Sequence, residues 1–310
     1  MSLLRFCYAG RQKKLAFTSS ITSCLGPGGN SPTIFEAPVG NEPSAALSTG
    51  YAQSKYISKF RVASSCLHIH MANCSQQFLY KTVERITKTA SLPNTLQIPI
   101  RILRVGQLCG SIRTGLWSTA EMYPILFATS FHPRMHCIPT FTSRSVDWVP
   151  IDVAAHCISE LLFQEESTKR KTKGKQKQTQ ESKDLEDGGS VYTVHNIVNP
   201  HPISWPSLLS ILQSSIKCGP IEEVPISEWV RRLNSLVDEG LTATDLPGLR
   251  LLGFFERLAE DEGEGGGRER IFETGKTREM SHSLRDCGPV CKEWIQSMLD
   301  VWRRNGFIDV

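Results

Sequence analysis

The run Leu15-Ala16-Phe17-Thr18-Ser19-Ser20 constrains the fold more than any other stretch. It is short, apolar and β-compatible, and the Gly/Pro-rich Gly26-Pro27-Gly28-Gly29-Asn30 that follows interrupts regular structure. The pattern predicts a parallel strand that ends in a hydroxyl cluster. Ligands of α/β sheets sit at the carboxyl ends of strands, which puts Ser19, Ser20, Thr22 and Ser23 where chemistry would occur. Serines that merely terminate a strand would give the same pattern. A second strand is predicted over Ile98 to Val105, breaking at Gly106, and a third over Val191 to Val198. The fold class is therefore α/β.

Between the first two strands stands Gly50-Tyr51-Ala52-Gln53-Ser54-Lys55-Tyr56 in helix-favouring sequence. A spacing of four puts the Tyr51 phenol and the Lys55 ammonium on one helix face, a turn apart. A free tyrosine ionises near pH ~10, and a neighbouring cation favours its ionised form, so the pair could stabilise charge on a substrate oxygen. The same spacing also arises by chance on solvated helices.

At 310 residues and 40% apolar, the chain can bury one large core or two smaller ones. Its net charge of +4 is dispersed, and the densest basic run, Lys169 to Lys177, lacks interleaved aromatic residues, which argues against nucleic-acid binding. Ten cysteines at irregular spacings, with no secretory signal, predict reduced thiols and a cytoplasmic location. No apolar run is long enough to span a bilayer. Arg5, Arg11, Lys13 and Lys14, with no acid nearby, superficially resemble a mitochondrial presequence, but they run directly into the first predicted strand.

A strand with a terminal serine, then a Tyr-x3-Lys helix, then a strand ending Arg104-Val105-Gly106-Gln107-Leu108-Cys109-Gly110 resembles the extended short-chain dehydrogenase/reductase family. Gly115 to Pro124, Val146-Asp147-Trp148-Val149-Pro150-Ile151-Asp152, Tyr192 to Pro202 and the terminal Leu284 to Trp302 stretch narrow it. They resemble the carboxy-terminal thioester reductase domain of fungal non-ribosomal-peptide-synthetase-like adenylate-forming reductases. The resemblance covers nearly the whole chain from Leu15 onward. It implies an incomplete Rossmann-like sheet with a mainly helical, carboxy-terminal substrate-binding portion. It further implies NADPH-dependent reduction of a carrier-bound acyl thioester to an aldehyde, or on to the alcohol, in secondary metabolism. Tyr51 would be the proton donor, Lys55 would hold the nicotinamide ribose, and Ser20, or else Ser19, would orient the carbonyl. Val105, Gly106 and Gln107 would lie beside the nicotinamide, and Trp117, Met122, Tyr123 and Trp148 would line the substrate channel. The implied partners are a phosphopantetheinylated carrier protein domain and an upstream adenylation domain.

Two departures accompany the resemblance. Such a domain opens with a strand, a glycine-rich turn and a helix whose amino terminus takes the cofactor pyrophosphate, and no Gly-x-x-Gly-x-x-Gly precedes Leu15. The expectation is an amino-terminally truncated reductase whose open sheet edge calls for a completing partner. The other departure is Ser58 to Thr82, a non-periodic segment that separates Ile57 from Val83-Glu84-Arg85-Ile86 and predicts an interruption of the helix after Ile57. Codons around Ser58-Lys59 and Thr82-Val83 admit splice signals, which suggests a retained intron.

The expected portions are 1–152, Rossmann-like with the insertion at 58–82, and 153–310, a substrate-binding lid with a disordered insertion at 164–189. Helices are predicted over Val153 to Phe163, Val224 to Val237, Leu246 to Leu258 and Lys292 to Arg304. Another opens at Ser204-Trp205-Pro206, with Ser204 as its N-cap. Cys66, His68, His70 and Cys74 lack the spacing of a zinc site, so no metal is expected. Cys287 and Cys291 read as ordinary thiols, and His195 and His201 as structural. Two alternatives to a thioester reductase remain: an inactive remnant or interaction fragment, and an extended reductase or epimerase acting on a small molecule.

Overall fold

The protein is described by a computed structural model covering residues 13–26, 31–38, 43–64, 100–142, 144–163, 192–217, 219–263 and 270–310. The Cys66 to Cys74 cluster, the 164–189 insertion and most of 58–82 lie outside these residues. In chain order the strands are β1 (Leu15–Ser20), β2 (Thr33–Ile34), β3 (Ile100–Val105), β4 (Leu108–Cys109), β5 (Cys137–Thr140), β6 (Ser145–Val146), β7 (Val149–Pro150), β8 (Tyr192–Ile197), β9 (Ile203–Ser204), β10 (Glu222–Pro225) and β11 (Ile271–Phe272). The helices are α1 (Gly50–Ser64), α2 (Met122–Phe131), α3 (Ile151–Phe163), α4 (Trp205–Gln213), α5 (Ile226–Asp238), α6 (Leu252–Gly263), α7 (Gly275–Met280), α8 (His282–Arg285) and α9 (Lys292–Arg304). Packing divides the chain into two compact units, with boundaries at Arg104/Val105, Ile158/Ser159 and Asn196/Ile197 and with residues 31–35 in the second. The units thus cut across the portions 1–152 and 153–310.

The first unit is built on a sheet ordered β1-β3-β8. Leu15, Ile100, Ile102 and Val194 form one apolar cluster, with Phe17 and Tyr192 against it, as the two-residue period of a strand requires. Every residue from Ile100 to Arg104 is buried, the signature of a strand covered on both faces. Helix α1 does not stop after Ile57, as expected, but runs seven residues further to Ser64. No Gly or Pro occurs between Tyr51 and Ser64, so nothing in the backbone chemistry ends it.

The second unit holds the large core. Strand pairs β10–β5, β4–β7 and β11–β2 are parallel, and β6–β9 is antiparallel. Trp148, Trp205, Trp229 and Trp302 are among its largest fully buried side chains. Helix α9 buries Ile295, Met298, Leu299 and Trp302, an i, i+3, i+4, i+7 stripe. Ser204 caps α4 by accepting from the Ser207 N–H at 3.2 Å, with Pro206 in the first turn. The helix expected from Val224 starts instead at Ile226, because Val224 is committed to β10 opposite Pro139. The one expected over Leu246 to Leu258 is a 3-10 turn at Pro247–Leu251 followed by α6. Among the described residues, no helix is long and apolar enough to cross a membrane.

Candidate active site

In the first unit α1 packs against β1 and carries Tyr51 and Lys55 in its first two turns. The Lys55 ammonium donates to the Thr18 carbonyl at 3.1 Å and stands 5.7 Å from the Tyr51 ring centroid and 5.8 Å from that of Phe17. Both distances are within cation–π range. Tyr51 is 58% exposed, so its phenol faces solvent while the lysine beside it ties the helix to the strand. Ser20 is buried and caps the 3-10 turn Ile21–Cys24, its Oγ accepting from the Thr22 N–H at 3.3 Å and the Thr22 hydroxyl at 3.0 Å. Those bonds use its lone pairs and leave its own proton available. Ser19 Oγ lies 3.4 Å from Ser23 Oγ, and Ser23 donates to the Ser20 carbonyl at 2.7 Å. Strand end, turn and helix thereby form one hydrogen-bonded piece. The Gly26 position is one of close packing: a Cβ there would lie 2.2 Å from the carbonyl oxygens of both Ala46 and Ser44.

The first unit also holds a buried charged group that sequence reading missed. Arg104 at the end of β3 is fully buried; its guanidinium donates to the Ala37 carbonyl at 2.6 Å and to Asn196 Oδ1 at 3.4 Å. Glu36, also buried, accepts from the Asn196 N–H at 3.1 Å. Lys59, one turn beyond Lys55, is buried with its ammonium 5.1 Å from the Tyr56 ring centroid. Loss of solvation, aided by repulsion from Arg104 and opposed by Cys24, lowers the Lys59 pKa from its ordinary value of 10.5 to about 7. Two charged residues inside Ile-Arg-Ile-Leu-Arg-Val were the available signal, since a strand buried on both faces must bury its charges too.

In the second unit the segment after β3 is pinned at each residue. The Gly106 N–H donates to the Ile197 carbonyl at 2.9 Å, and a Cβ there would meet Val198 Cγ2 at 3.1 Å and the Ile197 oxygen at 3.2 Å. Glycine is what this close approach requires. The Gln107 carbonyl accepts from the Val149 N–H at 2.9 Å, and its side-chain amide donates to the Leu108 carbonyl at 2.7 Å. Trp117, Tyr123 and Trp148 are buried in one aromatic cluster, with ring centroids 5.3 Å apart for Trp117–Trp148 and 4.4 Å for Tyr123–Trp148; Met122 packs half-buried against the core.

Three of the family-like stretches meet at Asn199, which is buried. Its side-chain amide donates at 3.0 Å to the carbonyls of both Trp148 and Gly288, its Oδ1 accepts from the His201 N–H at 2.9 Å, and its own N–H donates to the Asp147 carbonyl at 3.1 Å. The stretches around Trp148, Asn199 and Gly288 are thus one structural joint. Asn199→Ala removes three side-chain bonds and strands buried partners, so a loss of about 3 kcal/mol in urea unfolding is expected. A change under about 0.5 kcal/mol would show that the joint is not limiting.

His195 is buried with Nε2 3.2 Å from the Thr193 hydroxyl, and the His201 N–H closes the Asn199 turn. Cys109, Cys137, Cys287 and Cys291 are free thiols; burial pushes Cys287 up to about 11 and raises Cys291. Among the described residues, no group of three or more His, Cys, Asp or Glu is placed to hold a metal.

No protein-family model matches the chain. The chain is 26% identical over 210 residues to an adenylate-forming reductase of Aspergillus terreus, covering 68% of this chain and 17% of that protein. It is 24% identical over 311 residues to the non-canonical non-ribosomal peptide synthetase ascB of Acremonium egyptiacum, 99% of this chain and 23% of that one. Among solved structures, the terminal R domain from the myxalamid PKS-NRPS biosynthetic pathway superposes with a TM-score of 0.66 at 21% identity, covering 99% of this chain and 62% of that one. The chain is homologous to fungal adenylate-forming reductases and has the fold of terminal reductase domains. A second reductase-fold neighbour, a thiolation-reductase di-domain from an archaeal non-ribosomal peptide synthetase, superposes at a TM-score of 0.59 with 17% identity, covering 99% of this chain and 52% of that one. The homology is partial in extent: the chain spans 7% to 17% of the length of the first three curated relatives it matches.

Proposed function

We propose that this chain contributes the tyrosine–lysine half of a thioester reductase, which reduces an acyl group held on a carrier protein's phosphopantetheine arm to an aldehyde. The observation that carries the reading is the tether of Lys55 to the Thr18 carbonyl, which joins the helix bearing an exposed Tyr51 to the strand that ends in Ser19 and Ser20. In the first unit the residues present fit the nicotinamide end of NADPH: an ammonium held against the strand and an open phenol. When bound, that cofactor supplies a hydride to the thioester carbonyl carbon. Tyr51 donates to the carbonyl oxygen as negative charge grows there, Lys55 offsets the charge left on the phenol, and the free Ser20 proton is a second donor. Cleavage of the carbon–sulfur bond returns the arm as a thiol and leaves the aldehyde. Trp117, Met122, Tyr123 and Trp148 supply apolar wall for the acyl chain. A carrier domain and an adenylation domain are the expected partners.

One observation favours the alternative of a fragment that does not bind cofactor: Gly26 faces packed carbonyl oxygens and offers no open cradle for phosphate. Titration of NADPH into this chain and into an amino-terminally extended protein decides between them. Binding by the extended protein, with turnover of carrier-bound thioesters and none of free sugars, is the expected result. Failure of both proteins to bind NADPH would leave the fragment reading.

A further inference from the structure

We infer that Arg144, Tyr123 and Trp148 form a site for a planar anionic oxygen group, an aryl carboxylate, borne by the molecule that enters the second unit. The inference deepens the reductase reading, on which the identity of that molecule as the acyl substrate rests. Its basis is an imbalance of hydrogen-bonding groups. The Arg144 guanidinium lies 4.3 Å from the Phe141 ring centroid, and its Nη1 donates to the Tyr123 hydroxyl at 3.2 Å. Arginine has five N–H donors and no acceptor, and among the described residues no carboxylate pairs with this half-buried one. The Tyr123 oxygen accepts from Arg144, so its own proton is left to donate, and no acceptor for it lies within reach among the described residues. Trp148 is 1% exposed, its ring centroid 4.4 Å from that of Tyr123, and its indole N–H is buried with no partner among the described residues.

Arg144 and Tyr123 therefore leave donors unmatched where they meet, and the indole of the neighbouring Trp148 ring has a further one, with no acceptor for any of them among the described residues. Buried polar groups in folded proteins are normally satisfied, so a donor-only cluster next to an unpaired guanidinium points to an acceptor that arrives with a ligand. The guanidinium is planar and packs on Phe141, which presents its N–H fork to a planar bidentate partner better than to a tetrahedral one. The neighbouring Phe141 and Trp205 rings pack edge to face with centroids 4.9 Å apart, which makes the wall beside that group aromatic. Tyr123 and Trp148 are buried, so the half-buried Arg144 is where the ligand would enter.

Calorimetric titration of the intact chain with benzoate, benzamide and inorganic phosphate tests the site without cofactor. Benzoate should bind at least about tenfold more tightly than benzamide, since the charged acceptor carries the contact. Arg144→Met should reduce benzoate affinity by about tenfold or more, with Arg144→Lys recovering part of it. Tyr123→Phe, which keeps the ring and should leave the melting curve unchanged, should weaken benzoate about threefold to fivefold. Equal binding of benzoate and benzamide, an Arg144→Met variant that melts normally and binds as before, tighter binding of phosphate, or no binding of any of them would overturn the inference. Benzoate binding by a protein that reduces no thioester keeps the site and sinks the reductase reading. Reduction of neutral acyl thioesters without benzoate binding does the reverse.

Discussion

Tyr51→Phe should abolish reduction of carrier-bound thioester, lowering turnover by roughly 10²–10⁴-fold, while leaving NADPH affinity unchanged. The substitution removes one hydroxyl from a side chain that is 58% exposed, so it creates no cavity and leaves no buried partner stranded. The tether from Lys55 to the Thr18 carbonyl does not involve the phenol and stays in place, which keeps the ammonium proposed to hold the nicotinamide ribose where it is. A loss of that size corresponds to about 3–5 kcal/mol of transition-state stabilisation, the range expected when a positioned proton donor is deleted. The measurement is single-turnover aldehyde formation by a thioester-reducing form of the protein, alongside an NADPH titration. Turnover that survives the substitution would remove Tyr51 from the chemistry. A parallel loss of NADPH affinity would instead make it a binding residue.

The sequence revealed those parts of the fold whose local chemistry matches their tertiary setting. β1 and α9 run over the residues expected, because a short apolar run closed by glycine and a four-point helical stripe each have one reading. The two-residue strands β4, β6, β7 and β9 have no period to detect and exist only because their partners lie alongside. α1 was misjudged at its carboxyl end because its composition after Ile57 is not amphipathic; there the absence of any helix breaker was the better guide. Tyr51, Lys55 and Ser20 are singled out by spacing and strand position, and the structure joins the helix of the first two to the strand of the third through the Lys55–Thr18 bond. Arg144 could not, since an arginine in a loop acquires meaning only when Phe141, Tyr123 and the buried Trp148 are seen beside it. The role of Asn199 was equally hidden, although its stretch had already marked the family.

The other large effect concerns Lys59, where Lys59→Met should stabilise the first unit, and most strongly below neutral pH. The folded protein holds this amine at about 7 against an ordinary 10.5, so between those values the unfolded chain binds more protons than the folded one. Stability therefore rises as pH climbs from about 7 towards 10.5, and the penalty is fully present below about 7, where a charged ammonium must stay buried beside the Arg104 guanidinium. The shift corresponds to about 5 kcal/mol at most, and rearrangement that lets water reach the amine would reduce it. Methionine keeps the unbranched stem against Tyr56 and removes the charge, so it should gain most of that at pH 6 and little at pH 10. Urea unfolding at the two pH values measures the difference. Equal gains at both would mean that the amine's charge is not what burial penalises, and a loss at pH 6 would mean that Lys59 supports α1 through its charge. Lys59 lies one turn beyond Lys55 on the helix that carries Tyr51, so the substitution leaves the Lys55–Thr18 bond and the Tyr51 phenol untouched.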